Sequence, residues 1–472
     1  MALMPGKVLL ISINRCESPY PVFPLGLACL EAVLRPAGYE IRCVDYQADS
    51  RSARDAVAAF QPDFVGVSLR NIDDVIIKRR ETFFDPLATL TQEVRRACAA
   101  PVIVGGSGFS IFPQALLQLS GADFGIQGEG EASLLALVRA LERRADYSGI
   151  PGLVYRQNGR IVANPARRLN LAELPPASRS DFLVDYYLRE TSMLNIQTQR
   201  GCSCHCEYCT YPLIEGSGFR RRPAEAVADE LAELQERGAR YVVIVDSIFN
   251  SSPEHVQQVC EAILRRNLHL RWACFLRPAG LTADLFKLMA RAGLAHVEFG
   301  TDSFSDSVLA AYGKRFTLED VYQSHESARQ AKIECCHYLI CGGPTETLAT
   351  LDESFRNSLR LKEAPILALV GMRVYPGTLL YARVRRERPL PTDHELLQPH
   401  YYVSSAMTED EVFARLQDFS RRSPNWIVGD PPPRYLEWAA RLRARGVVGP
   451  LWSYWSTAQR LASALVQSPE SL

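Results

Sequence analysis

Four of the 13 cysteines fall within eight residues of the stretch Gly201-Cys202-Ser203-Cys204-His205-Cys206-Glu207-Tyr208-Cys209-Thr210-Tyr211-Pro212. Cys202, Cys206 and Cys209 stand in C-x3-C-x2-C spacing, with the aromatic Tyr208 just before the last. Thiolates crowded on one loop suit a soft metal centre, either zinc or an iron–sulfur cluster. A structural zinc site needs a closed set of four ligands, for which Cys204 or His205 would have to serve. A [4Fe–4S] cluster held by three thiolates leaves one iron open to a small molecule. The count of three favours the cluster.

Two runs of alternating strand and helix patterns must position this loop. Before it, short apolar and β-branched runs at 7–13, 40–44, 64–69, 102–104 and 123–126 read as buried parallel strands. Helical stripes lie between them at 25–35, 52–60, 85–99 and 113–119, with another at 131–142. This is the pattern of a doubly wound α/β sheet over residues 1–150, whose ligands sit beyond the carboxyl ends of the strands. The loops at those ends hold Ser68-Leu69-Arg70-Asn71, Gly105-Gly106-Ser107-Gly108-Phe109 and Gly128-Glu129-Gly130. Glycine there would let backbone approach a large flat or phosphorylated ligand. Residues 151–190 read as a linker, with a hairpin signal at Asn158-Gly159 and the pair Pro175-Pro176.

From 191 to 385 six further units appear, with strands expected at 194–199, 241–245, 271–275, 295–299, 334–340 and 367–374. Helices fall at 223–236, 253–265, 283–291, 318–332 and 347–361, which makes a partial (β/α)6 barrel. The working loops of such barrels follow the strands' carboxyl ends, and the cysteines follow the first strand. Cys335 and Cys336, adjacent in a strand, point to opposite faces and read as packing residues. Residues 386–472 read as a helical domain, with a capping box at Thr408-Glu409-Asp410-Glu411 and a last helix near Pro450. That tail is expected to cover the open side of the barrel and shape its cavity.

C-x3-C-x-aromatic-C after a first barrel strand resembles the signature of radical SAM enzymes. In that family the cluster's open iron chelates S-adenosylmethionine. Cys202, Cys206 and Cys209 are then the cluster ligands and the catalytic residues, and Cys204 matches no family position. Tyr208 falls in the same motif and is carried to the SAM site. Asp246 after the second strand is expected near the SAM ammonium, although the Gly-Gly-Glu form of that motif is missing. Gly300-Thr301-Asp302-Ser303 resembles the Gly-x-Glu-Ser stretch that holds ribose, with a shorter aspartate in place of glutamate. Gly342 and Gly343 in LICGGPTE resemble the adenine-lining motif, and Tyr375-Pro376-Gly377-Thr378 the end of the sixth strand. Arg277 is a candidate for the SAM carboxylate.

The three loops of the first domain resemble the cobalamin-binding domain that precedes the barrel in one class of radical SAM proteins. Ser68, Arg70, Asn71, Gly105, Gly106, Gly108, Phe109, Gly128 and Glu129 are the implied cobalamin contacts. None of the eight histidines precedes His205, so this domain cannot supply an imidazole to cobalt; Arg70 is expected to occupy that lower face instead. The resemblance implies a methyltransferase using a [4Fe–4S] cluster, SAM and cobalamin. Its target would be an unactivated carbon, or a phosphorus, of a small-molecule or natural-product intermediate. The route would be a 5′-deoxyadenosyl radical and methylcobalamin, with electrons from a flavodoxin- or ferredoxin-type donor. Enzymes that use the same motifs for rearrangement, cyclisation or redox chemistry remain the alternative, and a cobalamin sensor with zinc in its cysteine loop is the non-enzymatic one.

The whole chain agrees with that class. At 47% hydrophobic and 22% charged residues it can build sizeable cores. Lys+Arg and Asp+Glu both number 53, so no net field favours nucleic acid or an anionic membrane. Neither a second cysteine set nor a basic tail points to tRNA. Scattered cysteines in odd number argue for a reducing cytoplasm, and neither a leader nor a membrane-length apolar run is read.

Overall fold

The computed structural model describes residues 6–16, 20–49, 53–361, 364–387, 389–429 and 433–455. The expected helix starting at Ser52 and the Pro431-Pro432-Pro433 break begin or lie partly outside the described residues, as does most of the last helix after Pro450.

The first sheet has all five expected parallel strands, Lys7–Ser12, Glu40–Asp45, Phe64–Ser68, Val102–Gly105 and Phe124–Ile126, in spatial order 2-1-3-4-5. The central strands Lys7–Ser12, Phe64–Ser68 and Val102–Gly105 are buried on both faces. Leu9, Ile11, Val65, Val67, Val102 and Val104 meet one helix layer, and Val8, Leu10, Phe64 and Ile103 the other. The order reverses between strands 1 and 3, which opens a crevice beyond Ile13-Asn14 and Leu69-Arg70.

The expected linker needs a correction. Its hairpin, Leu153–Gln157 and Arg160–Ala163, adds two antiparallel strands to the first sheet beside Phe124–Ile126. Asn158 and Gly159 turn with positive φ, as a two-residue hairpin requires. The pairing covers what would otherwise be an open edge of hydrogen-bonding groups.

The barrel strands Met193–Ile196, Tyr241–Ile244, Arg271–Leu276, Leu294–Asp302, Glu334–Cys341 and Ile366–Val370 run parallel in chain order. The sixth ends earlier than expected because Gly371 turns the chain with φ 77°; Met372–Arg373 then pairs with Tyr401–Tyr402 instead. The tail is also not all helix. Trp426–Val428 joins the barrel sheet as a seventh parallel strand beside Ile366–Val370. Trp426 is buried against Phe355 and Phe419 and donates to Ser358 Oγ at 3.0 Å. Helix Glu409–Arg422, with the expected capping box, packs over that edge. Residues 450–455, the described part of the segment after Gly449, do not cover the open side. They close the barrel's amino-terminal mouth, where Trp452 donates to Glu298 at 3.0 Å and Ser453 to Glu334 at 2.8 Å.

Ion pairs hold the carboxyl edge of the first sheet against the carboxyl edge of the barrel. Arg373 meets Asp73 at 2.7 Å with both side chains almost wholly buried, and Tyr375 also donates to Asp73. Arg200 pairs with Glu131 at 2.6 Å, and Arg220 with Glu129. A buried pair is weak evidence for net stability, but losing one partner leaves a costly unpaired charge, so these bridges fix a geometry. Among the described residues no helix is long and apolar enough to cross a membrane.

Candidate functional site

The cysteine loop is held by backbone, not by its thiols. Gly201 takes φ 90°, and a Cβ there would lie 2.1 Å from Gly218 O, so only glycine turns the chain into the loop. Cys202 N donates to Gly216 O, Glu207 N to Tyr312 O, and Ser247 Oγ to Gly201 O. Asp246 sits below this turn with both oxygens engaged. It accepts from Thr198 N at 2.7 Å, from Gln199 N at 3.2 Å and from Thr198 Oγ1. Burial raises its pKa to about 7 against those hydrogen bonds. That occupancy counts against the expected contact with the SAM ammonium: Asp246 positions the strand exit.

The three thiols share one electrostatic neighbourhood. Hydrogen bonds from Cys204, and further out Ser247 and Lys314, pull Cys202 down against the opposing effect of burial, whereas burial raises Cys206 and pushes Cys209 up to about 12. Lys314, which sequence reasoning missed, is buried beside them. It pairs with Asp302 at 2.5 Å and lies over the Tyr208 ring at 5.6 Å. Tyr208 OH donates to Asp302 at 2.6 Å. Asp302 is therefore held by Lys314 and Tyr208. A lysine twelve residues after an aspartate carries no motif, so only the fold reveals the pairing.

Gly300 has nothing within 4 Å of its absent Cβ and opens into the barrel. Ser303 is buried against Ser354. The missing side chain of Gly343 makes room for Tyr312, whose hydroxyl oxygen would lie 2.4 Å from an added Cβ. Gly342 N donates to Glu346, and Glu346, raised to about 7 by burial, also accepts from Tyr312 at 3.1 Å. Arg277 N donates to Asn250 Oδ1, while its guanidinium lies near Cys204 with a buried Nε that has no partner among the described residues. Cys335 and Cys336 do face opposite sides. Cys335 lies in a chain of contacts with His325, His337 and Thr301 behind the sheet, which satisfies these polar groups without a ligand.

In the first domain the glycines act differently from expectation. A Cβ on Gly106 would lie 2.5 Å from Leu69 O, and one on Gly108 3.0 Å from the Asn71 carbonyl carbon. These glycines let two loops pack on each other. Gly105 is close to Ile126 O, and Gly128 accommodates Ala166 and receives Ser110 Oγ on its N–H. Phe109 is fully buried under Gly125, and Glu129 is engaged by Arg220 and by Leu169 N. Ser68, Arg70 and Asn71 stay on the loop edge. Asn71 Oδ1 accepts from Arg70 Nε at 3.1 Å, and the guanidinium, its pKa lowered by burial, is surrounded by Cys16, Tyr187, Asp45 and Tyr211.

Between the two edges lies a space with unused valences. Asn14, at the crevice where the strand order reverses, has a buried Oδ1 with no partner among the described residues. Opposite, Tyr211 and Leu213, directly after the cysteines, are 41% and 44% exposed although they lie between the domains. An orphaned amide, a guanidinium and an apolar shelf fit a large amphipathic ring ligand. Three thiols with an arginine beside them fit a cluster together with a carboxylate-bearing ligand. The switch-point rule could have found Asn14; nothing in the sequence marked Tyr211 or Leu213.

Comparison with known proteins matches these two halves. Residues 11–138 fit the B12 binding domain and residues 196–357 the radical SAM superfamily. The tryptophan 2-C-methyltransferase of Streptomyces laurentii is 30% identical over 444 residues, covering 79% of this chain and 74% of that protein. The anaerobic magnesium-protoporphyrin IX monomethyl ester cyclase of Rubrivivax gelatinosus is 25% identical, covering 71% and 61%. The fold is shared with the radical S-adenosylmethionine methyltransferase TsrM from Kitasatospora setae, solved with cobalamin and a [4Fe–4S] cluster. The TM-score is 0.86 at 23% identity, over 98% of this chain and 100% of that one. The chain belongs to the cobalamin-dependent radical SAM enzymes, in the branch that contains methyltransferases.

Proposed function

We propose that this enzyme methylates a carbon of a small aromatic amino acid or a close derivative, with tryptophan as the first substrate to test. The observation that supports it most is the 30% identity, over most of both chains, to a tryptophan 2-C-methyltransferase. When bound, the cluster, SAM and cobalamin supply the methyl group and the electron chemistry of the transfer, including the 5′-deoxyadenosyl radical route; the protein supplies position and exclusion of water. Cys202, Cys206 and Cys209 would hold the cluster, and Arg277 would pair with the SAM carboxylate. Arg70, Asn71, Ser68 and Asn14 would receive cobalamin on the opposite edge, against Tyr211 and Leu213. The bridges Arg373–Asp73 and Arg200–Glu131 keep the two edges in register. Thirteen cysteines, free where described, suit a reducing cytoplasm and a flavodoxin- or ferredoxin-type donor.

Anaerobic incubation of the reconstituted enzyme with L-tryptophan and SAM deuterated in its methyl group tests the reading. Product three mass units heavier than that from unlabelled SAM is expected. The cyclase relative supports a second reading, ring formation without methyl transfer. Product lacking the label would favour that reading and defeat the first.

A further inference from the structure

Inside the barrel, one carboxylate described above only as the acceptor for Trp452 has capacity left over. On the strand Leu294–Asp302, Val297 and Phe299 point outward into the core beneath the helices. Alternation along the strand therefore turns His296, Glu298 and Gly300 inward. His296 is sealed from below: Tyr241 OH meets its Nδ1 at 2.7 Å, the Trp452 ring packs edge-on at 5.6 Å, and Gly449 closes over it. Glu298 is the next inward residue and so lies on the floor of the lumen. Gly300 is above it with open space where a Cβ would lie, and Phe275, the register partner of Glu298 on the neighbouring strand, is 38% exposed toward the same interior. Further along the chain, past the irregularity after Phe299, Asp302 and Lys314 mark the rim beneath the cysteine loop.

The partners of Glu298 are Trp452 Nε1 and Tyr338 OH, both neutral. Among the described residues no cation pairs with it. A carboxylate has about four acceptor positions, so two remain unused. An ionised group enclosed without a counter-charge is costly unless a ligand supplies one. Trp452 and Ser453 belong to the segment that plugs the mouth, so the tail's contribution to the cavity is to hold this carboxylate upright. Burial pushes the Glu298 pKa up, which is what an incoming ammonium would reverse.

We infer that Glu298 is the specificity-determining residue of the substrate cavity and accepts a protonated amine of the substrate at the barrel floor. The proposal rests on the methyltransferase reading above and makes the amine of its proposed substrate class the group that the cavity recognises. The amine at the floor would leave the substrate's ring toward Gly300, Phe275 and the rim, where the two cofactor-facing edges meet.

Equilibrium dialysis of the reconstituted holoenzyme with tryptamine and with indole-3-propionate tests this, since both carry the ring and only one carries the amine. Wild-type enzyme is expected to bind tryptamine at least tenfold more tightly than indole-3-propionate. In Glu298→Gln that preference is expected to disappear through loss of tryptamine binding, with indole-3-propionate unchanged. The glutamine can still accept from Trp452, and an unchanged melting temperature verifies that the floor is intact. A wild-type enzyme without preference for the amine, or a Glu298→Gln enzyme that keeps it, overturns the proposal. The deuterium-transfer assay reads the methyl-transfer function independently, so either can fail alone.

Discussion

The cysteine loop and the glycine loops face each other across the same space, yet their sequences carry different information. In the cysteine loop the thiols form no disulfide and the backbone is tied down by Gly201, Asp246, Ser247 and Tyr312. In the first domain the conspicuous glycines are the ones tied down, because Gly106 and Gly108 pack on Leu69 and Asn71. Among the described residues there, Asn14 keeps a buried oxygen without a partner and Arg70 lies at the loop edge, and no glycine pattern announces either. A thiol is in the sequence because of what it binds. A loop glycine is often there because of what it must avoid.

The comparison breaks most visibly at the thiols. Cys202→Ala, Cys206→Ala or Cys209→Ala is expected to abolish cluster assembly and SAM cleavage, and Cys204→Ala to leave both. Iron and sulfide content after anaerobic reconstitution reads the outcome; full iron in Cys206→Ala, or its loss in Cys204→Ala, refutes the ligand set.

A second effect is a pH dependence of stability from Asp246, the buried support of the cysteine turn. Its pKa is raised from 3.8 to about 7 in the folded chain, so between these values the folded state holds a proton that the unfolded state releases. Stability therefore falls as pH rises from about 4 to 7, by up to about 4 kcal/mol. Asp246→Asn cannot titrate and is expected to flatten that slope in urea titrations across this range. An unaltered slope would show that Asp246 is ionised in the fold.

The glycines give smaller effects of opposite kind. Gly106→Ala places a Cβ against Leu69 at a φ of 101° and is expected to cost about 1–3 kcal/mol of stability. Gly300→Ala meets open space, so thermal unfolding should move by less than about 0.5 kcal/mol while substrate turnover falls. Equal destabilisation by the two would erase the distinction between packing glycines and cavity glycines.

How far the sequence could be read follows the same division. Both α/β layers, their strand order of appearance and the cysteine loop were legible, since hydrophobic period and ligand spacing are local. The hairpin 153–163 was seen but misplaced, because which edge it covers depends on Phe124–Ile126 needing a partner. The strand Trp426–Val428 was invisible, being three residues long and formed only against Ile366–Val370. Asp302 and Glu129 were expected to touch ligands. Lys314 and Arg220, remote in sequence, turn out to hold them.

The central claim is that the first domain presents Arg70, and no nitrogen ligand, to the lower face of cobalt. No histidine precedes His205, and a guanidinium cannot ligate while protonated. Electron paramagnetic resonance of the cob(II)alamin form of the reconstituted enzyme measures this directly. The account predicts cobalt hyperfine lines without the triplet splitting of an axial nitrogen. A triplet on those lines would contradict it.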